Sequence, residues 1–86
     1  MRRALLPLIL AACAAPPAPE TPSRDDLARA CAAATSGHVG KPVAAVETSF
    51  RATDPDGVTV FAVRDGDRVH DCRIDAAGRV LRLDHV

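Results

Sequence analysis

The chain has 86 residues, a formal net charge of zero and three cysteines, and it contains neither Trp nor Tyr. This length allows one small domain. A near-neutral chain lacks the basic patch that binds the phosphate backbone of a nucleic acid. Without Trp or Tyr, it also lacks the aromatic surfaces on which bases commonly stack. Nucleic-acid binding is therefore not expected.

The first residues have the pattern of an export signal. Residues 1–3 are a short basic start, and residues 4–12 are almost wholly apolar and end in small side chains. This run is about half of the roughly 20 apolar residues that a membrane-spanning helix needs, and Pro7 interrupts it. Residues 1–12 are therefore predicted to be a signal peptide.

Leu10-Ala11-Ala12-Cys13 resembles the lipobox of bacterial lipoproteins, in which an aliphatic residue and two small residues precede a cysteine. The resemblance implies that the Cys13 thiol receives a diacylglyceryl group, that a peptidase cuts before it, and that the new amino terminus is acylated. Ala14 stands where an Asp would signal retention in the inner membrane, which implies delivery to the outer membrane, facing the periplasm. The alternative is an ordinary secretory signal cut after Ala14 or Ala15, which would remove Cys13.

A proline-rich segment follows, and residues 13–22 are predicted to be a tether between the lipid and the domain. Pro16, Pro17, Pro19 and Pro22 favour the extended polyproline II conformation. At about 3.1 Å per residue, such a segment holds a domain about 30 Å from the bilayer.

Residues 23–86 are predicted to form a small α+β domain that begins with a helix. Ser23 can cap the helix, and the acidic pair that follows suits the positive end of the helix dipole. Apolar residues then recur at the helical period and form one thin face. The residues of this face are Leu27, Ala30, Cys31 and Ala34. Gly37 is expected to cap the C terminus of the helix, and Pro42 prevents its continuation.

Four strands in an antiparallel meander are expected after the helix, because turn signals separate alternating or β-branched runs. The predicted strands are residues 43–52, 58–64, 68–75 and 79–84. The third strand places His70, Cys72 and Ile74 on one face, and the fourth does the same with Leu81 and Leu83. The natural closure packs the helix on one face of the sheet.

Cys31 and Cys72 remain as a pair once Cys13 is lipidated or removed. Because an exported protein meets an oxidising compartment, a disulfide between helix and sheet is predicted. The loop it closes has about 40 residues, which corresponds to about 4 kcal/mol of stabilisation in the chain-entropy model.

The segment from Cys72 to Leu81 resembles the last hairpin of the PepSY domain, which often reads as a hydrophobic strand, Asp, a short turn with Gly, a basic residue and Val-Leu. The order of elements over residues 26–84 agrees with that family in outline. The resemblance implies an extracytoplasmic domain that restrains a protease. A cysteine pair between helix and sheet is not part of the family's usual pattern.

Neither a catalytic site nor a metal site is expected. His38, His70 and His85 share none of the short spacings that are typical of zinc sites. Turn chemistry explains the aspartates of the turns. The chain has no Gly-x-Ser-x-Gly motif, and a bridge between Cys31 and Cys72 leaves no reactive thiol. We therefore expect no enzymatic activity and no cofactor.

The sequence thus predicts a lipid-anchored protein of the bacterial envelope that binds another protein through an edge strand or the uncovered face of its sheet. The alternatives are a structural surface lipoprotein and a soluble, protease-restraining protein of the PepSY type. The expected partners are the membrane, through the N-terminal lipid, and an envelope protein.

Overall fold

A computed structural model describes residues 21–86, which form one helix and a four-stranded antiparallel sheet. The elements are α1 (Arg24–Val39), a 3-10 turn (Val43–Ala45), β1 (Val46–Thr53), β2 (Thr59–Asp65), β3 (Arg68–Ile74) and β4 (Val80–His85). The strands lie in chain order, and α1 packs against one face of the sheet. This confirms the predicted α+β fold. The predictions for the signal peptide, Cys13 and the tether up to residue 20 lie outside the described residues.

Helix α1 begins as the sequence predicts. The Ser23 hydroxyl accepts a hydrogen bond from the Asp26 N–H at 3.1 Å, and the Asp26 carboxylate accepts one from the Ser23 N–H at 3.0 Å. This reciprocal pair is a capping box, which satisfies two N–H groups that the first helical turn leaves without partners. No helix of the described residues is long and apolar enough to cross a membrane.

The predicted end of the helix was wrong. Gly37 lies within the last turn, and the cap is Gly40, whose φ of 71° is in the left-handed region. The Gly40 and Lys41 N–H groups both donate to the Ser36 carbonyl. A glycine ends a helix only where the backbone must turn left-handed. The later cap adds almost one further turn, and that turn carries His38.

The buried face of α1 is also shifted from the predicted one. Its buried residues are Leu27, Cys31, Ala32 and Thr35. Ala30 and Ala34 are half-buried flanks. The Thr35 hydroxyl donates to the Cys31 carbonyl at 2.9 Å, so a polar side chain is tolerated on this face.

A register shift in β4 corrects the predicted face of the last strand. Ile74 pairs with Val80, but Arg73 pairs with Arg82, so Leu81 is the extra residue of a β-bulge. Val80 and Leu83 therefore pack against the core, whereas Leu81 is 49% exposed. A bulge changes which side chains face the core, and alternation in the sequence alone does not show it.

The core lies between α1 and the sheet, and the disulfide is at its centre. Its buried apolar residues are Leu27, Cys31, Ala32, Val46, Phe61, Val63, Cys72 and Ile74. Cys31 and Cys72 are fully buried and bonded, with 5.9 Å between their Cα atoms. This confirms the predicted bridge. The two cysteines are 41 residues apart, so the bridge accounts for about 4 kcal/mol of stability.

The meander gives the domain two unlike ends. The turn end comprises the turns at residues 54–57 and 75–78, and Pro22, just before α1, lies beside Gly78. The histidine end comprises the β2–β3 hairpin at residues 66–67, the last turn of α1 and the end of β4.

Candidate functional site: a three-histidine cluster

The three histidines of the chain meet at the histidine end. His38 is in the last turn of α1, His70 is in β3, and His85 is the last residue of β4. Their potential ligand nitrogens all lie within 4.8 Å of one another. The ring centroids of His70 and His85 are 4.4 Å apart, and that of His38 lies 5.9 Å and 6.0 Å from them. One imidazole from the helix and two from the sheet therefore lie close together.

The β4 bulge places His85 in this cluster. His70 and His85 are direct partners in the β3–β4 ladder, and Cys72 pairs with Leu83. If β3 and β4 of this sequence paired regularly from Ile74–Val80 onward, with no bulge, Asp84 would lie opposite His70. The bulge thus determines that an imidazole, and not a carboxylate, faces His70.

His70 is the buried member of the cluster. Its side chain is fully buried, and neither ring nitrogen has a hydrogen-bond partner among residues 21–86. Burial lowers the pKa of His70, and the neighbouring His85 and His38 lower it further. Asp65 acts in the opposite direction, as does the backbone of Val63, which pairs with His70 in the sheet but makes no well-formed hydrogen bond to its ring. His70 is therefore neutral at pH 7 and keeps a nitrogen lone pair. A buried polar group without a partner costs about 1–3 kcal/mol.

An open cleft of about 560 Å³ lies next to the cluster. It is lined by His38, Val39, Lys41, Asp65, Gly66, Asp67, Arg68 and His85. The two exposed histidines thus form part of its wall, and His70 lies behind them.

Asp65 is the buried carboxylate of this cleft, and Lys41 pairs with it. The Lys41 Nζ lies 2.6 Å from Oδ1 of Asp65, whose side chain is only 5% exposed. Hydrogen bonding to Lys41 holds the pKa of Asp65 below its usual value, although burial acts against this shift. The carboxylate is therefore charged and already bound by Lys41.

Four aspartates, Asp54, Asp56, Asp65 and Asp67, stand in or beside two of the turns. Asp54 and Asp56 lie at the turn end and Asp65 and Asp67 at the histidine end, so the four aspartates are not one cluster. Asp54 Oδ1 accepts the N–H groups of Asp56 and Val58, which is the turn chemistry that was predicted.

Sequence reasoning missed the cluster because it looked for ligands at short spacings, but a sequence signal exists. His38 lies seven residues after Cys31, two turns along the same face of the helix. His70 lies two residues before Cys72, on the same face of β3. The helix and β3 run in opposite directions, so the predicted disulfide would have brought these two histidines together. No sequence signal places His85, since its position depends on the bulge.

Comparison of the chain with protein families, with curated proteins and with solved structures found no match. The lipobox and PepSY resemblances therefore stay predictions.

Proposed function

We propose that this chain is a lipid-anchored, non-catalytic binding protein of the bacterial cell envelope, which presents its histidine end to a ligand or partner. The observation that supports export is the Cys31–Cys72 bridge in the centre of a core with few large side chains. Disulfides persist in oxidising compartments and are rare in the reducing cytosol. Small exported domains rely on such bridges because their cores alone supply little stability.

The lipobox explains the third cysteine. With Cys31 and Cys72 joined, Cys13 would be a leftover thiol in an exported protein unless it is modified or removed. Lipidation of Cys13 uses this thiol and anchors the chain. The Pro-rich residues that follow would then hold the domain away from the bilayer.

The shape of the histidine end supports binding as the activity. The cleft is open to solvent, and its walls come from the end of α1, the ends of three strands and the turn between β2 and β3. The three histidines lie on the helix and on strands, and such elements hold side chains in place better than loops do. The disulfide joins α1 to β3, so it restrains the helix side of the cleft against the sheet.

The test is the intact mass of the full chain expressed in a bacterial host, measured before and after reduction. We expect the mass of residues 13–86 plus diacylglyceryl and acyl groups, with a gain of two hydrogens on reduction. Cys13→Ala is the matched variant and should leave the envelope membrane fraction. A lipid-free mass that starts after Ala14 or Ala15 would overturn the anchor and favour the soluble alternative.

The choice of membrane is tested by fractionation. The wild-type chain is expected in the outer membrane, and Ala14→Asp should shift it to the inner membrane. Inner-membrane retention of the wild-type chain would contradict this part of the proposal.

The binding role is tested by retrieval of envelope proteins on the immobilised, lipid-free Cys13→Ala chain. A stoichiometric partner whose retention is reduced by Asp67→Arg, a change in the cleft wall, supports the proposal. A purely structural surface lipoprotein would retain no partner. A PepSY-type protein would inhibit a co-exported protease.

A further inference from the structure

We propose that His38, His70 and His85 bind one divalent transition-metal ion, Zn²⁺ or Cu²⁺, and leave the remaining coordination position open to the cleft. This inference deepens the proposed binding function by naming the ligand class of the histidine end. It is independent of the lipid anchor, because all three ligands lie in the folded domain.

The three potential ligand nitrogens need to move only slightly closer together to bind one ion. Nitrogens bound to a tetrahedral ion at about 2.0–2.1 Å are separated by roughly 3.3 Å, whereas here they lie within 4.8 Å of one another. His38 and His85 are exposed and can turn towards the third ring by side-chain rotation. Their backbones are fixed by α1 and by the β3–β4 ladder.

Burial of His70 is the second observation that points to a ligand. Native proteins give nearly every buried polar side chain a hydrogen-bond partner, and exceptions call for an explanation. Both nitrogens of this imidazole lack one among residues 21–86, although the position faces an apolar core in which Leu would serve. A metal ion between His70 and the two exposed rings would give one nitrogen a strong partner.

The donor set selects the class of metal. Imidazole suits Zn²⁺ and Cu²⁺, whereas Ca²⁺ and Mg²⁺ prefer oxygen ligands. The only thiols of the described chain are joined in the disulfide, and the nearby Asp65 carboxylate is bound by Lys41. Three histidines are therefore the protein ligands, and water or a partner's side chain would complete the coordination.

Two exposed ligands of three also indicate an exchangeable site. An ion held there can be reached from the cleft, unlike the ion of a closed structural site with four protein ligands. Such a site suits uptake and release of a metal, or metal-dependent docking of a partner that supplies the last ligand.

The experiment is titration of the protein as its bacterial host produces it, purified without a histidine tag, with ZnCl₂ and CuCl₂ in separate calorimetric runs. We expect saturable binding of one ion per chain, with no response to CaCl₂. His38→Ala and His85→Ala should each weaken binding at least about 10-fold, since each removes one ligand of three. Asp56→Ala, an exposed change at the turn end of the sheet, is the control and should bind as the wild type does.

His70→Ala opens a cavity, so His70→Leu is the second variant at this position. It should keep the fold, as judged by circular dichroism, and lose at least about 100-fold in affinity. Visible absorption of the Cu²⁺ complex, which reports nitrogen ligation, should disappear in the same variant. Absence of saturable binding of either ion at up to about 100 μM would overturn the proposal. Binding that survives in both His38→Ala and His85→Ala would also overturn it.

Failure of this proposal can be told apart from failure of the proposed function. The Cys13→Ala chain has no lipid and is expected to bind metal with unchanged affinity. The His38→Ala chain is expected to carry the lipid and the disulfide while its metal affinity falls.

Discussion

At the turn end of the sheet, polar groups find partners within a few residues, whereas at the histidine end they do not. Oδ1 of Asp54 accepts the N–H groups of Asp56 and Val58 at 2.9 and 3.0 Å. Oδ1 of Asp75 does the same with Ala77 and Arg79 at 3.0 and 2.9 Å. The histidine end instead buries an imidazole that has no hydrogen-bond partner in residues 21–86. The carboxylates of the turn end thus stabilise their own turns, whereas the histidine end leaves imidazole nitrogens available to bind a ligand.

The disulfide joins α1, which runs from the turn end to the histidine end, to the inner strand β3. Its loss should therefore have the largest effect on stability. We expect the Cys31→Ala, Cys72→Ala double variant to lose about 4 kcal/mol in the free energy of unfolding, because the 41-residue loop of the unfolded chain is released. Urea denaturation of both proteins measures this difference. Reductant should destabilise the wild type and leave the double variant unchanged, and a loss below about 1 kcal/mol would contradict the expectation.

Most substitutions in a core lower stability, but replacement of the buried imidazole should raise it. His70→Leu is expected to raise the metal-free stability by about 1–3 kcal/mol, since it removes an unsatisfied polar group from the core. Thermal and urea unfolding in the presence of a chelator measure this. The exposed His85→Leu is the control and should change stability by less than about 0.5 kcal/mol. A less stable His70→Leu domain would show that the imidazole has a partner after all.

The contribution of the turn end to stability should depend on pH in the acidic range. The N–H of Arg79 and then that of Ala77 hold the pKa of Asp75 below its usual value, although burial opposes them. Because the folded pKa is depressed, this stabilisation is complete above the unfolded pKa of about 3.9 and is lost as the pH falls through the folded value.

Asp75→Asn should therefore flatten the fall in stability between about pH 5 and about pH 2, since Asn does not ionise in this range. Urea titrations at a series of pH values measure the slope. Asp56→Asn, an exposed change in the other turn, is the control and should keep the wild-type slope. Equal slopes for Asp75→Asn and the wild type would contradict the assignment.

The smallest effect is expected from the two glycines at the end of α1. Gly37→Ala should stabilise the domain by about 0.5–1 kcal/mol, because Gly37 is helical and a Cβ there meets no atom within 4 Å. Gly40→Ala should destabilise it by about 1 kcal/mol, since its φ is 71°. Thermal unfolding distinguishes the two, and the opposite order of stability would restore Gly37 as the cap.

Local patterns were sufficient for most of the elements. Ser23 and Asp26 mark the start of α1 because a capping box involves only residues three apart. The turns of Asp54 and Asp75 are equally local, since each carboxylate bonds N–H groups two and four residues ahead. Such signals fail where two candidates compete, as Gly37 and Gly40 do at the helix end.

By itself, the sequence determined the α+β order, the meander and the Cys31–Cys72 pair, because capping, turn chemistry, alternation and redox compartment act through neighbouring residues or residue counts. The tertiary structure decided the bulge at Leu81, the face of β4 and the convergence of the three histidines. These depend on how the last strand meets β3 and on how far α1 extends over it. Contacts between segments distant in the chain set both features, so the candidate site became visible only in the folded domain.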